Sequence, residues 1–245
     1  MDKKRQAVND LPMMRRYLFI GLSMVLGSII GFSAGVLHLP PYNFLKSIIW
    51  SSGKSKAALE SYGACKLSIY QASAANADVI MLGDSITDNG EWAELFPNVR
   101  ILNRGISGQT TSEMLGRLDE IISRKPKKVL ILGGINDLAS EVSPRDVCNN
   151  IAKIVEILQS HDIKPVVQSI IFVRESFKPG LNKKVQITNE MLADWCKQHA
   201  VIFLDLNSKL SQHNQLLEII TNDGLHLNGQ GYILWAEMIR GSIEK

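Results

Sequence analysis

The sequence has little of what metal and redox centres are built from. Its three cysteines, Cys65, Cys148 and Cys196, are widely spaced and form no C-x-x-C pair, so a zinc site or a dithiol redox motif has no ligands to draw on. No H-E-x-x-H occurs and no other His/Asp spacing clusters, which leaves metal catalysis without a motif and implies no cofactor. In an oxidising compartment one cysteine pair could bridge and leave an odd thiol, but the simpler reading is three buried small apolar side chains. The body also lacks a charge excess. Of 27 basic and 24 acidic residues, five and two lie in the first sixteen, leaving 22 of each from Tyr17 onward. Nucleic acid binding needs a basic face to displace counterions, so no nucleic-acid partner is expected. A phosphate-binding loop is excluded as well: Gly53-Lys54-Ser55 resembles its end, yet Ile48 stands where the motif needs glycine. There is no internal repeat and no low-complexity tract.

One long apolar run is present. From Tyr17 to Leu39 there is no Asp, Glu, Lys or Arg, and as a helix the run would reach roughly 35 Å, enough to cross a hydrocarbon core of about 30 Å. The division expected is a basic tail over 1–16, a single-pass transmembrane anchor over 17–39, a juxtamembrane linker over 40–64 starting at Pro40-Pro41, and a globular domain over 65–245. Lys3, Lys4, Arg5, Arg15 and Arg16 favour a cytoplasmic N-terminus, which puts the domain on the outer side of an inner membrane. The alternative is a signal segment cleaved near Phe32-Ser33-Ala34, giving a secreted protein. No cysteine follows the run closely, so a lipid-modified N-terminal cysteine is not supported.

From about Lys56, within the expected linker, to Ala74 helix formers dominate, and beyond them short apolar runs alternate with longer amphipathic segments. The runs at 79–82, 99–102, 129–132, 165–171 and 201–204 are of strand length and rich in β-branched residues, as buried parallel strands are. Helices are predicted over 111–124, 144–160 behind Ser143 as cap, 182–199 and 230–243. Alternation of this kind implies right-handed crossovers and a three-layer α/β domain: a flavodoxin-like parallel five-stranded sheet with helices on both faces.

In such sheets ligands bind beyond the carboxyl ends of the strands, which makes the residues after each run the ones to inspect. They are Gly83-Asp84-Ser85, then Asn103-Arg104-Gly105-Ile106-Ser107-Gly108, then Gly133-Gly134-Ile135-Asn136-Asp137, and, before the last helix, Asp223-Gly224-Leu225-His226-Leu227-Asn228. A serine hydroxyl needs a neighbouring base to become a nucleophile, and an imidazole with an unperturbed pKa near 6.5 suits the task. His226 is the only one of the five histidines with an acid three residues earlier. A reversal at Gly224 would bring Asp223 back to the ring, where a carboxylate fixes the tautomer and stabilises the imidazolium; Asp205, after the last strand, is the rival acid. Asp84 and Asp137 read as orienters of loop backbone. His38, His161, His199 and His213 have no expected catalytic part.

All four blocks, in order, resemble those of the SGNH hydrolases, the GDSL-like esterases and lipases, over about residue 77 to the C-terminus. The resemblance implies Ser85 as nucleophile, His226 as base, Asp223 as its acid, and the Ser85 N–H, Gly108 and Asn136 as the oxyanion hole. Gly108-Gln109-Thr110-Thr111 is similar to the Gly-Asp-Thr-Thr of the platelet-activating-factor acetylhydrolase branch, with Gln109 in place of the acid. The expected activity is hydrolysis of an O-acyl or O-acetyl ester, on an envelope glycan or a lipid, through an acyl-enzyme. An O-acyltransferase or a lysophospholipase/thioesterase would use the same groups, and a catalytically silent envelope-binding module is the reading of another class.

Overall fold

The computed structural model describes residues 54–244. The expected anchor over 17–39, the basic tail and His38 lie outside them. Among the described residues no helix is long and apolar enough to cross a membrane. The chain divides into Met1–Ala58 and Leu59–Lys245, and the second unit carries the fold.

Its elements run α1 (Lys54–Ala72), β1 (Val79–Gly83), α2 (Ser85–Asp88), α3 (Trp92–Leu95), β2 (Ile101–Gly105), α4 (Thr111–Leu115), α5 (Leu118–Ser123), β3 (Lys128–Leu132), α6 (Ile135–Ala139), α7 (Pro144–Ser160), β4 (Lys164–Gln168), α8 (Leu181–Gln198), β5 (Ile202–Leu204), α9 (Asn207–Leu210), the hairpin β6 (Ser211–Gln212) and β7 (Gln215–Leu216), and α10 (Gly229–Ile243). The five-stranded sheet has the order β2-β1-β3-β4-β5 and is parallel throughout, the doubly wound order expected of a flavodoxin-like domain.

Alternation along each strand feeds two cores, one on each face. Val79, Met81, Leu130 and Val166 pack with Trp92 and with Trp235, Ala236 and Ile239 of α10. Ile80, Leu82, Val129, Ile131 and Val167 pack with Ile121 of α5, Ile151, Ile154 and Val155 of α7, and Leu192 of α8.

The structure departs from the sequence reading at four places, and at the first two the polar side chains show why. The second strand is displaced from 99–102 to Ile101–Gly105, because polar strand residues are satisfied locally: Arg104 pairs with Glu120 at 3.0 Å, and Asn103 donates to the carbonyls of Asp88 and Gly90, each at 2.9 Å. The predicted helix over 111–124 breaks between Leu115 and Leu118, where the Arg117 side chain turns inward to the carbonyls of Arg104 and Gly83. Residues 54–64, assigned to the linker, belong to α1, and the compact unit starts at Leu59 rather than at residue 65. Cys65 is exposed, whereas Cys148 and Cys196 are buried, and all three are free.

Candidate active site

The order β2-β1-β3 makes the β1/β3 boundary the point where chain connections leave in opposite directions, and crevices form there. Immediately after β1, the Asp84 carboxylate accepts a hydrogen bond from the Ile86 N–H at 3.0 Å and caps α2. Ser85 is therefore the first helical residue, with an N–H outside the helical ladder. Its Oγ lies 2.9 Å from His226 Nε2, 141 residues away in sequence. His226 Nδ1 lies 2.7 Å from Asp223 Oδ2.

The loop that carries the acid and the base is wired within itself. Asp223 Oδ1 accepts the backbone N–H groups of Leu225 at 2.9 Å and His226 at 2.8 Å. Gly224, at φ +84°, makes the reversal that an L side chain would strain. Thr221 Oγ1 donates to the His226 carbonyl at 2.7 Å and accepts the Gly224 N–H at 3.0 Å. An antiparallel bridge between Thr221 and Leu227 closes the loop. Partial burial works against a charge on Asp223, but the His226 ring and the two backbone N–H groups outweigh it and bring the carboxyl down to about 2.

Asp84 is the opposite case. It is fully buried, its Oδ2 has no partner among the described residues, and burial pushes the carboxyl up to about 7, with Asp137 and Asp88 adding to that against the Ile86 hydrogen bond.

The other two blocks face the same edge. Ile106-Ser107-Gly108-Gln109 forms a turn in which the Gln109 N–H donates to the Ile106 carbonyl at 3.2 Å, and Gly108 at φ +81° occupies the position that type II turns reserve for glycine. Asn136, the second residue of α6, donates from Nδ2 to the Gln109 carbonyl at 2.9 Å. Asp137 beside it is buried and accepts the N–H and hydroxyl of Thr111 at 2.9 and 2.6 Å, which ties the third block to the start of α4. Gly108 and Asn136 are thus held in one constellation.

The structure brings Ser85, Asp223 and His226 together and leaves Asp205 out of it. Asp205 accepts the Asn207 N–H at 3.0 Å and borders a separate cavity of about 550 Å³ with Phe172, Phe203 and His213. His161 and His199 close α7 and α8, their Nδ1 atoms 2.9 and 2.8 Å from the carbonyls of Ile157 and Trp195. Among the described residues no cluster of three His, Cys, Asp or Glu could hold a metal ion.

Three supporting residues escaped the sequence reading. Thr221 holds the acid–base loop; its place two residues before Asp223 was the available signal. Arg117 donates from Nε to Gln109 Oε1 at 2.7 Å and from Nη2 to the carbonyls of Arg104 at 2.7 Å and Gly83 at 3.4 Å, linking the first two blocks. Asp88, a partly buried residue whose carboxylate is covered, accepts Ser107 N and Oγ at 3.2 and 2.8 Å, the Tyr62 hydroxyl at 2.7 Å and Lys66 Nζ at 2.8 Å. No local pattern announces the last two.

A hydroxyl, an imidazole and a carboxylate in a row at the carboxyl edge of a parallel sheet define a serine hydrolase. The sequence profile of the GDSL-like Lipase/Acylhydrolase family matches residues 81–234; the chain belongs to this family and is an ester-hydrolysing serine hydrolase. It is 28% identical over 170 residues to the platelet-activating factor acetylhydrolase IB subunit alpha2 of Rattus norvegicus, a match covering 63% of this chain and 71% of that protein. An N-acylneuraminate cytidylyltransferase of Streptococcus agalactiae is 28% identical over 152 residues, 61% of this chain, but the chain spans only 35% of that protein's length. Among solved structures, a GDSL-like lipase from Bacteroides thetaiotaomicron matches at 25% identity with a TM-score of 0.64, covering 76% of this chain and 97% of the other.

Proposed function

We propose that Ser85 attacks the carbonyl carbon of an O-acetyl or short O-acyl ester carried on a glycan. The observation that supports this most strongly is the relay from Ser85 Oγ through His226 to Asp223. His226 Nε2 takes the hydroxyl proton as the Oγ–carbon bond forms, and Asp223 stabilises the resulting imidazolium from the other nitrogen. The negative charge on the former carbonyl oxygen meets the N–H groups of Ser85 and Gly108 and the Asn136 amide, which has a second hydrogen besides the one given to Gln109. His226 then passes its proton to the leaving alcohol oxygen. Water, deprotonated by the same nitrogen, releases the acid and restores Ser85.

Two likenesses favour an acetyl group on a sugar: one relative is an acetylhydrolase, and the other is a cytidylyltransferase of an N-acylneuraminate. The apolar run over 17–39 adds a location, a single-pass anchor holding the domain outside the inner membrane near envelope glycans. The test is labelling by a fluorophosphonate probe with competing esters. Labelling is expected in the wild type, absent in Ser85→Ala, and suppressed by an O-acetylated glycan at lower concentration than by a lysophospholipid or an acyl thioester. Undiminished labelling of Ser85→Ala refutes the nucleophile, and stronger protection by the lipid refutes the glycan. For the anchor, the chain lacking residues 1–39 should leave the membrane fraction with its activity; if it stays membrane-bound, the anchor lies elsewhere.

A further inference from the structure

One helix outside the four blocks touches the constellation. Along α1, residues 59, 62, 63, 66 and 70 form one stripe at helical spacing, and the stripe follows the second block from end to end. The Tyr70 hydroxyl donates to the Gly105 carbonyl at 2.8 Å. Gly63 faces Ile106 closely enough that a Cβ there would lie 3.4 Å from Ile106 Cγ2. Tyr62 and Lys66 grip Asp88, which in turn holds both the backbone and the hydroxyl of Ser107. Partial burial opposes the charges at this junction, yet the contact between them favours both ionised forms: the Asp88 carboxyl is held below its usual range and the Lys66 ammonium above its own. At the end of the stripe, Leu59 lies on Gly108. A Cβ built on that glycine would fall 2.3 Å from Leu59 Cδ2, so the leucine methyl is in contact with the Gly108 backbone. Leu59 is nevertheless 42% exposed, and its outer face is open.

Where an acyl substituent must go follows from the reaction geometry proposed above, on which this inference rests. At the tetrahedral carbon, one oxygen turns to the donors and the leaving oxygen turns to His226, which protonates it. The acyl substituent is left pointing away from the 221–227 loop. The charged oxygen sits about 3 Å from its donors, so the first carbons of the acyl chain pass beside Gly108 and within reach of the side chain covering it. We propose that Leu59 is the apolar wall of the acyl subsite and sets the length of acyl group accepted, with the Tyr62/Lys66–Asp88–Ser107 junction holding that wall against the donor loop.

The experiment measures kcat/KM of the full chain on p-nitrophenyl acetate, butyrate and hexanoate, which share one alcohol and differ only in the acyl chain. Because Leu59 is half exposed, its replacement does not empty a core. A methylene in an apolar site is worth about tenfold or more in kcat/KM. Leu59→Ala should therefore raise the hexanoate-to-acetate ratio by about tenfold, and Leu59→Phe should lower the butyrate-to-acetate ratio by a similar factor. Fluorophosphonate labelling of Ser85 in the same preparations separates the two levels of the inference. If Ser85 labels and both ratios stay within about twofold of wild type, the assignment of Leu59 fails alone. Absence of labelling in the wild type brings down the reading of the site, and this inference with it.

Discussion

Two carboxylates flank the same serine, and their surroundings push them in opposite directions from the ordinary carboxylate range. Asp223 sits in an exposed loop and accepts three close hydrogen bonds, and its carboxyl titrates near 2. Asp84 precedes Ser85 in the chain, is sealed beneath α2, accepts one hydrogen bond from the backbone, and titrates near 7. Donors aimed at the charged form outweigh partial burial in the first case, and burial outweighs a single donor in the second. Proximity to a nucleophile therefore does not make an acid its partner. Only the donor-rich, solvated carboxylate carries the permanent charge that an imidazolium needs, while the buried one shapes the turn that presents the hydroxyl.

The sharpest test of this contrast is at the hydroxyl between them. Ser85→Ala should lower kcat for a p-nitrophenyl ester by about 10⁴-fold or more with no change in the far-UV spectrum, the scale seen when a nucleophile of this kind is removed. Next in size is Asp223→Asn, expected to cost about 10⁴-fold in kcat, against which Asp205→Asn should stay near wild type because its carboxylate accepts the Asn207 N–H and lies outside the relay. Reversal of that order would make Asp205 the acid. Asn136→Ala should cost about 10²- to 10³-fold in kcat, with a smaller change in KM, if the amide serves the developing charge.

The pH profile gives a finer distinction. Asp223 has a depressed pKa, so its contribution is complete above the ordinary carboxylate range and is lost only as pH falls through about 2. The acid limb of kcat/KM therefore does not belong to Asp223, and a limb at about pH 4 that vanished in Asp223→Asn would contradict the depressed carboxyl. Asp84 behaves in the reverse sense. Its raised pKa means that the folded protein keeps a proton that the unfolded chain gives up between about 4 and 7, so this group's contribution to stability falls as pH rises through that window. Asp84→Asn keeps an acceptor for Ile86 and cannot ionise. Its melting temperature should exceed that of wild type above pH 7, by about 2–4 °C for each kcal/mol that the buried charge costs, and the gap should close toward pH 4. A constant gap would mean that Asp84 does not change charge on folding.

Much of this was legible in the sequence. Runs such as Val79 to Leu82 and Val129 to Leu132 announce buried strands because both faces of a parallel sheet are covered. The four blocks announce the site edge because each follows a strand or precedes the last helix. What stayed hidden depends on distant partners. Arg104 reads as a loop residue until Glu120 pairs with it. Arg117 sits inside a helical pattern that its inward turn interrupts. Asp88 is one acid among 24 until Tyr62 and Lys66 arrive from α1. Leu59 lay in a stretch assigned to a linker, and only the folded chain puts it on Gly108.

The closed loop between Thr221 and Leu227 has a mechanical consequence. Acid and base sit on one seven-residue ring, so the distance between them is set within that loop. The relay is left with a single adjustable joint, the 2.9 Å step from His226 to Ser85 that spans 141 residues of chain.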